Sequence, residues 1–324
     1  MKIPNSVALQ NVRAFVATNR PFEPVGPEAV LEFHPRWAHM EPVALAMAAA
    51  WGIWAKRAGY RLKAENLGPA TAYAGRMKLF ETLELDFDPG LKEHEEAGRF
   101  LPLTQIRSSQ DVAAAIGDIS ALLHLQNEPD TLSAVQYCVS ELLRNVLEHS
   151  ESEDGAFVCA HRYTGKEPRR VTIAVADCGQ GVPAHLARVV PEATDDHDLA
   201  LAMAMRPGVT GAVSGIYGTP ENAGAGLFIT RCMAKGSGGY FFLLSGRSAY
   251  RLRRARTDDD MTELFLDPYD EPRHDRYCFD RGWAGTVASI EIRTEKIGDY
   301  DGFIRWIFDK VPRRKTKKGR IQFT

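Results

Sequence analysis

The stretch SELLRNVLEHS, residues 140–150, constrains the fold more than any other part of the chain. On a helix of about 100° per residue, five apolar side chains share one side and are expected to be buried. They are Val139, Leu142, Leu143, Val146 and Leu147. The opposite side carries three polar side chains, Glu141, Asn145 and Glu148. Such a stripe usually faces water, so periodicity alone predicts an ordinary amphipathic helix.

The composition is that of a soluble globular protein, with 44% apolar and 25% charged residues among 324. This length suits one large or two medium domains. The net charge of −2 provides no general attraction to nucleic acid or to an anionic membrane surface. We therefore expect neither nucleic acid nor a membrane as a partner.

Cysteine usage and hydropathy indicate the compartment. Five cysteines lie far apart without a C-x-x-C pair, which argues against a zinc site or disulfide framework and for reduced thiols. The first residues show no signal-peptide pattern. The longest apolar run, residues 43–55, has 13 residues, whereas a membrane span needs about 20. We expect a buried helix there and a cytoplasmic protein.

The first hundred residues predict a small α/β domain. Its strands are expected at 29–34 and 60–66, and its helices at 41–58 and 69–83. The charged, glycine-containing stretch 86–99 is the predicted linker.

A second unit is predicted from about residue 100. Its helices are expected at 109–125, 129–149 and 223–236, and its strands at 156–163, 169–176, 239–246 and 285–294. The polar segment 183–223 between them is expected to be irregular. Helices followed by strands with glycine-rich loops predict an α/β sandwich with helices on one face of the sheet.

The motif Asp177-x-Gly179-x-Gly181 follows an apolar strand. A carboxylate at a strand end can accept a hydrogen bond from an exocyclic amine such as that of adenine. The two glycines permit positive φ and leave room for a ligand. The same residue types commonly form a plain turn, so this motif is weak by itself.

Two further motifs come later in the chain. Gly224-x-Gly226-Leu227 opens a helix, whose free backbone N–H groups suit a phosphate, although a glycine there is often only a flexible joint. Gly285-Thr286 begins the last strand, where a threonine hydroxyl can donate to a phosphate or support the Asp177 carboxylate. Neither motif is specific alone.

In order and spacing, these motifs resemble the GHKL ATP-binding fold of gyrase, heat-shock chaperones, histidine kinases and mismatch-repair ATPases. SELLRNVLEHS looks like its N box, DCGQG like its first glycine box and GAGL like its second. The resemblance covers roughly residues 100–295. It implies an α/β sandwich whose mixed sheet is covered by helices on one face, and it implies ATP and Mg²⁺ as cofactors.

The resemblance also implies roles for individual residues. Glu141 would polarise the attacking water or hydroxyl, and Asn145 would supply an amide oxygen to Mg²⁺. Asp177 would read the adenine amine, while Gly179 and Gly181 let the base approach.

The remaining implied roles concern the phosphates. Gly224 and Gly226 would lie at the phosphates, with Leu227 and Thr286 as further nucleotide-binding residues. The segment 183–223 would be a mobile lid over the nucleotide.

Within that superfamily, the compact ELLRNVLEHS looks closest to anti-sigma-factor-type kinases and related ATP-binding proteins. The N-terminal part is similar to STAS-like domains, including the helix YAGRMKLFETL. However, residues 33–42 contain neither Ser nor Thr, the residue types that accept the phosphate in such domains. The expected organisation is a STAS-like domain at 1–98, a GHKL domain at 99–298 and a basic tail at 299–324.

Three functions remain open at this point. The first is an ATPase or serine/threonine protein kinase with Glu141 as base, for which a protein partner is expected to bind the STAS-like domain or the lid. Alternatively, the chain is a nucleotide-gated interaction module with little turnover, or a degenerate fold that binds nothing. A homodimer is compatible with each function.

Overall fold

The computed structural model describes residues 1–24, 26–87, 99–165, 168–208 and 225–310. Its α-helices are α1 (Val12–Thr18), α2 (Pro42–Arg57), α3 (Ala72–Arg76), α4 (Leu79–Thr82), α5 (Ser109–Leu122), α6 (Pro129–His149), α7 (Gly181–Ala187), α8 (His197–Ala204), α9 (Gly226–Gly236) and α10 (Tyr300–Lys310). Its strands are β1 (Lys2–Ile3), β2 (Ser6–Val7), β3 (Glu28–Phe33), β4 (His39–Met40), β5 (Arg61–Glu65), β6 (Phe100–Ile106), β7 (Ala156–Tyr163), β8 (Arg170–Asp177), β9 (Phe241–Leu252) and β10 (His274–Arg293).

These elements form an α/β protein, as the sequence predicted, with two principal sheets. The first unit has a parallel three-stranded sheet in the order β1-β3-β5. The second unit has a five-stranded sheet in the order β6-β7-β8-β10-β9. Every neighbouring pair of described strands in this larger sheet is antiparallel. The expectation of a mixed sheet is therefore wrong, because each strand returns beside an oppositely running neighbour.

Both faces of the larger sheet are covered. Helices α5, α6 and α9 share an apolar core with one face. The other face packs against α2 of the first unit, in a core that includes Trp51, Phe157, Ala174 and Phe242. The expectation of helices on one face describes the second unit alone and is incomplete for the whole chain. Strand β8 lies between β7 and β10, and its residues 171–177 are all buried.

Periodicity predicted the two longest helices well. Helix α6 covers 129–149, the predicted range, and four of its five predicted apolar residues are buried. The fifth, Leu147, is half-buried against the same core. Helix α2 begins with Pro42 at its first position and buries its apolar run on both sides. The reason is that α2 lies between the two sheets rather than on a surface.

Other segments differ from their predictions. The helix expected at 69–83 is divided into a 3₁₀ turn, α3 and α4, because Lys78 takes a left-handed φ of 60°. Residues 183–208 are not irregular, since they contain most of α7 and all of α8. Strands β9 and β10 extend well beyond the predicted ranges. Helix α10 occupies the beginning of the segment expected to be a tail.

Several features of the sequence lie outside the described residues. They are most of the linker (88–98), the end of the lid segment with Gly224 (209–224) and the basic stretch (311–324). Within the described residues, all five cysteines are free, and four of them are buried, in agreement with the prediction. No helix in those ranges is long and apolar enough to cross a membrane.

Candidate functional site

The polar stripe of α6 is partly covered rather than fully solvated. The Glu141 side chain is only 13% exposed, and its carboxylate pairs with Arg144, at 2.9 Å between Oε1 and Nη2. Burial raises the pKa of Glu141, and the neighbouring Arg144 opposes that shift. Asn145 Nδ2 is buried and has no hydrogen-bond partner in the described structure. An ordinary solvated stripe would not leave a carboxylate covered and an amide unpaired.

Glu141 is covered by the start of α9. A side chain at Gly226, the first residue of that helix, would overlap Glu141 Oε2. The glycine therefore allows the N-terminus of α9 to lie directly against the carboxylate. Leu227 has a different position, because it packs against the apolar core between α9 and the sheet.

Asp177 ends the central strand β8, and its side chain is 1% exposed. The backbone N–H of Gly179 donates to Asp177 Oδ1 at 2.8 Å, and the backbone N–H of Thr286 donates to Oδ2 at 3.2 Å. Burial raises the pKa of Asp177 from 3.8 to about 7, and these two hydrogen bonds oppose the shift. A buried carboxyl that titrates near neutrality is unusual and more frequent at functional sites than elsewhere.

The loop after Asp177 lies against the C-terminal end of α6. A Cβ at Gly179 would overlap the carbonyl oxygen of Ser150, so only glycine fits there. The backbone N–H of Gln180 donates to the same carbonyl at 2.7 Å. The Gln180 side chain donates to the carbonyl of His149, also at 2.7 Å. These contacts join two of the predicted motifs, the stretch 140–150 and the first glycine motif.

The third predicted motif reaches the same place through Ser245 on β9. Gly181 has a φ of +77°, and a Cβ there would lie 2.7 Å from Ser245 Oγ. Ser245 Oγ donates to the carbonyl of Gly285 at 2.6 Å and lies 3.2 Å from Thr286 Oγ1. Of the two roles considered for the Thr286 hydroxyl, support of the Asp177 carboxylate is not made by the hydroxyl in this structure. The backbone N–H of Thr286 provides that support, because the hydroxyl faces Ser245.

Helix α6 spans the distance between the two halves of the site. Ser150, which contacts the Asp177 loop, lies nine residues after Glu141, or about 13 Å along a helix axis. Asn145 lies between them on the same stripe. A single helix, α6, thus connects the two ends of the site: Glu141 and the start of α9 at one end, and the Asp177 loop at the other.

Two contributors to this site were not identified from the sequence. Ser245 lies in an apolar strand run, where nothing distinguishes it from a core serine. Trp283 Nε1 donates to the backbone carbonyl of Asp177 at 2.9 Å. The acceptor is a backbone atom 106 residues away in the chain, so no local sequence pattern predicts this contact.

The side chains of this site could supply part of the ligand shell of a metal ion but not a complete shell. Among the described residues, no group of three or more His, Cys, Asp or Glu side chains is arranged to hold a metal ion. Mg²⁺ commonly takes only one or two protein oxygens and completes its shell with phosphates and water. Asn145 carries an amide oxygen of the kind that Mg²⁺ binds, whereas its buried unpartnered atom is the nitrogen Nδ2, which requires a hydrogen-bond acceptor. Comparison with models of known protein families, with curated proteins and with solved structures finds no match to this chain.

Proposed function

We propose that this chain binds Mg·ATP in a GHKL-type site between α6, the Asp177 loop and α9, and cleaves the γ-phosphate. A GHKL domain preceded by a STAS-like unit is part of this proposal. One observation carries it: the Asp177 carboxyl is buried at a strand end and flanked by glycines whose backbone leaves no space for side chains. Adenine would donate its exocyclic amine to that carboxyl.

The catalytic part of the proposal concerns Glu141. Its covered position and raised pKa suit a general base, because a base is most effective when its pKa approaches the working pH. Glu141 would take the proton from the attacking oxygen while that oxygen bonds to the γ-phosphorus and the bond to the β-phosphate oxygen breaks. The products are ADP and either inorganic phosphate or a phosphorylated protein hydroxyl, as in other phosphoryl transfers.

Asn145 would contribute an amide oxygen to Mg²⁺, and Gly226 would lie near the phosphates at the start of α9. The ion, when bound, supplies neutralisation of the phosphate charge. Glu141 and Asn145 lie four residues apart on one helix face, so a single rigid element positions both. Gly224 belongs to the proposed site but lies outside the described residues.

The first experiment is calorimetric titration of Mg·ATP into the wild type and the Asp177→Ala variant, with phosphate release measured in parallel. We expect binding in the wild type and loss of binding in the variant, with thermal melts to verify that the variant is folded. Wild-type protein that does not bind Mg·ATP would refute the proposal.

A matched pair of variants on α6 tests the base. Glu141→Gln should lower turnover by at least about 10²-fold while ATP affinity changes little, since general-base catalysis usually contributes that much. Glu148→Gln removes the same charge from a more exposed position on the same helix, and it should change turnover by less than about tenfold, because Glu148 contributes only a part of the raised pKa of Glu141. Equal turnover in the two variants would exclude Glu141 as the base.

A second candidate function, a nucleotide-gated interaction module, is supported by Trp283. Its indole donates to the Asp177 carbonyl, and its ring meets Phe22 of the first unit edge-on, with centroids 5.1 Å apart. Because Asp177 is covered, a nucleotide must displace neighbouring atoms to reach it. The contact between Trp283 and Phe22 would transmit that rearrangement to the first unit. We propose that the first unit carries the surface for a protein partner.

Hydrogen exchange measures this coupling. If the module is gated, Mg·ATP should change amide protection around Phe22 as well as around the Asp177 loop. Protection that changes only at the loop would contradict gating, and phosphate release would then identify an enzyme without such a switch.

A further inference from the structure

A cavity of about 260 Å³ lies where the two units meet, and it adjoins the proposed nucleotide site through Trp283, which lines the cavity and donates to the Asp177 carbonyl. Its walls are residues 20–23 of the first unit, His197 at the start of α8, the pair 246–247 on β9 and residues 281–284 on β10. None of the predicted site residues lines it. The cavity is slightly smaller than usual pockets for drug-sized ligands, which favours a small molecule over a peptide.

The cavity owes its shape to an irregularity in the sheet. The pairing of β9 with β10 shifts register between Cys278 and Trp283, and again between Trp283 and Thr286. In a regular strand, successive side chains point to opposite faces. Here four consecutive residues, 281–284, line one cavity. Bulged strands commonly redirect side chains in this manner beside functional sites.

The charge of the described lining residues is positive. Arg20, Arg247 and Arg281 contribute guanidinium groups, whereas Glu23 contributes the carboxylate. Glu23 pairs with Arg281 at 2.6 Å. Arg20 and Arg247 are both exposed, and neither belongs to the ion pair between Glu23 and Arg281. Two positive charges are therefore left in excess at the cavity.

The inner wall is aromatic and neutral. Trp283 is 3% exposed and meets the half-buried Phe22 edge-on. His197 Nδ1 accepts a hydrogen bond from the Arg247 backbone N–H at 2.8 Å. Burial and the nearby Arg247 lower the pKa of His197, so its ring adds no charge at neutral pH. The combination is an aromatic wall beside two exposed arginine residues that also line the cavity.

We propose that this cavity binds a small molecule that carries a phosphate or carboxylate group on a planar or apolar body. Guanidinium groups match the geometry of both anions and form charge-assisted hydrogen bonds with them. The body would lie against Phe22 and Trp283, at a distance from bulk water. Binding here does not require ATP, so the calorimetric test below can succeed or fail whether or not the chain binds a nucleotide, although Trp283 joins the cavity to the Asp177 loop.

Calorimetric titration with phenyl phosphate and with benzoate tests the proposal on the full-length protein. At least one of the two should bind the wild type, and the stronger of them identifies the preferred anion. The double variant Arg20→Gln/Arg247→Gln should bind it at least about tenfold more weakly, because two charge-assisted contacts are lost.

The control variant is Arg36→Gln/Arg107→Gln, which removes the same two charges at exposed positions that do not line the cavity. It should bind like the wild type. Benzyl alcohol, which has the ring without the charge, should bind more weakly than either anion. The proposal is overturned if neither anion binds, if both double variants are weakened equally, or if benzyl alcohol binds as well as the anions.

Discussion

At the residue scale, the surroundings of Asp177 have two opposing effects on the ionisation of its carboxyl group. Two backbone N–H groups favour its ionised form, whereas complete burial favours its neutral form and raises the pKa to about 7. An unfolded chain ionises the same carboxyl near pH 4. Between these values the folded state retains a proton that the unfolded state has lost. Folding stability must therefore fall as the pH rises from about 4 to about 7.

Asp177→Asn should remove this pH dependence, because the amide is neutral and of similar size. A shift of this size corresponds to a loss on the order of 4 kcal/mol in the wild type. Urea unfolding at pH 5 and pH 8 should record about 2–3 kcal/mol of this loss in the wild type, because the unfolded carboxyl is already mostly ionised at pH 5. The free energy of unfolding of the variant, relative to that of the wild type, should therefore be higher at pH 8 than at pH 5. Parallel profiles for the two proteins would show that Asp177 is ionised when folded.

Two glycines of the predicted motifs are expected to respond differently to alanine. A Cβ at Gly179 would overlap a backbone carbonyl, whereas one at Gly226 would overlap the end of the flexible Glu141 side chain. Gly179→Ala should therefore cost about 1–3 kcal/mol of stability. Gly226→Ala should keep stability within about 1 kcal/mol but reduce phosphate release by displacing the carboxylate.

Urea melts and phosphate release on both variants check this contrast. Similar stability of the two variants would mean that the Gly179 loop moves away from α6 without cost. Unchanged phosphate release in Gly226→Ala would mean that the contact with Glu141 has no catalytic role.

At the element scale, side-chain periodicity identified the elements but not always their interruptions. The patterns of α2 and α6 are long and regular, so their ranges were predicted to within one residue at each end. The division between α3 and α4 was missed, because Lys78 is an ordinary helix-forming residue in a left-handed conformation. Helices α7 and α8 were missed because they have only seven and eight residues, too few to show a helical period clearly.

Lys78→Gly should raise the free energy of unfolding by up to about 1 kcal/mol. Glycine removes the steric cost of a left-handed φ, and this gain exceeds its entropy cost in the unfolded chain. Lys63→Gly in strand β5 is the control, and it should lower stability because a strand residue gains nothing from that freedom. Destabilisation by both variants, measured in urea, would contradict the interpretation.

At the scale of the whole molecule, a buried charge network joins the two units. Glu291 on β10 is fully buried, and its Oε1 accepts from Arg254 Nε at 2.8 Å. Arg170 Nε lies 3.1 Å from Glu291 Oε2, and Arg170 Nη2 lies 3.8 Å from Glu41 Oε1 of the first unit. Tyr73 and His161 add a hydrogen bond of 2.7 Å across the same boundary.

Glu291→Ala should destabilise the whole chain by about 2–3 kcal/mol, because it leaves two partly buried guanidinium groups, those of Arg170 and Arg254, without their shared partner. The effect should appear as a shift of one calorimetric transition, since a single apolar core includes residues of both units. Glu295→Ala removes an exposed carboxylate nearby and should change stability by less than about 0.5 kcal/mol. Two separate transitions would show that the units unfold independently.

The sequence by itself determined the α/β class, the main helices and the residue types of the candidate site, because local periodicity and turn chemistry depend on near neighbours. Only the tertiary structure decided which of these residues meet. It directed the backbone of Thr286 rather than its hydroxyl to Asp177, placed Glu141 beneath Gly226, and covered the second face of the sheet with α2. These contacts join residues separated by tens to more than a hundred positions. Their energies depend on packing and burial, which no local pattern records.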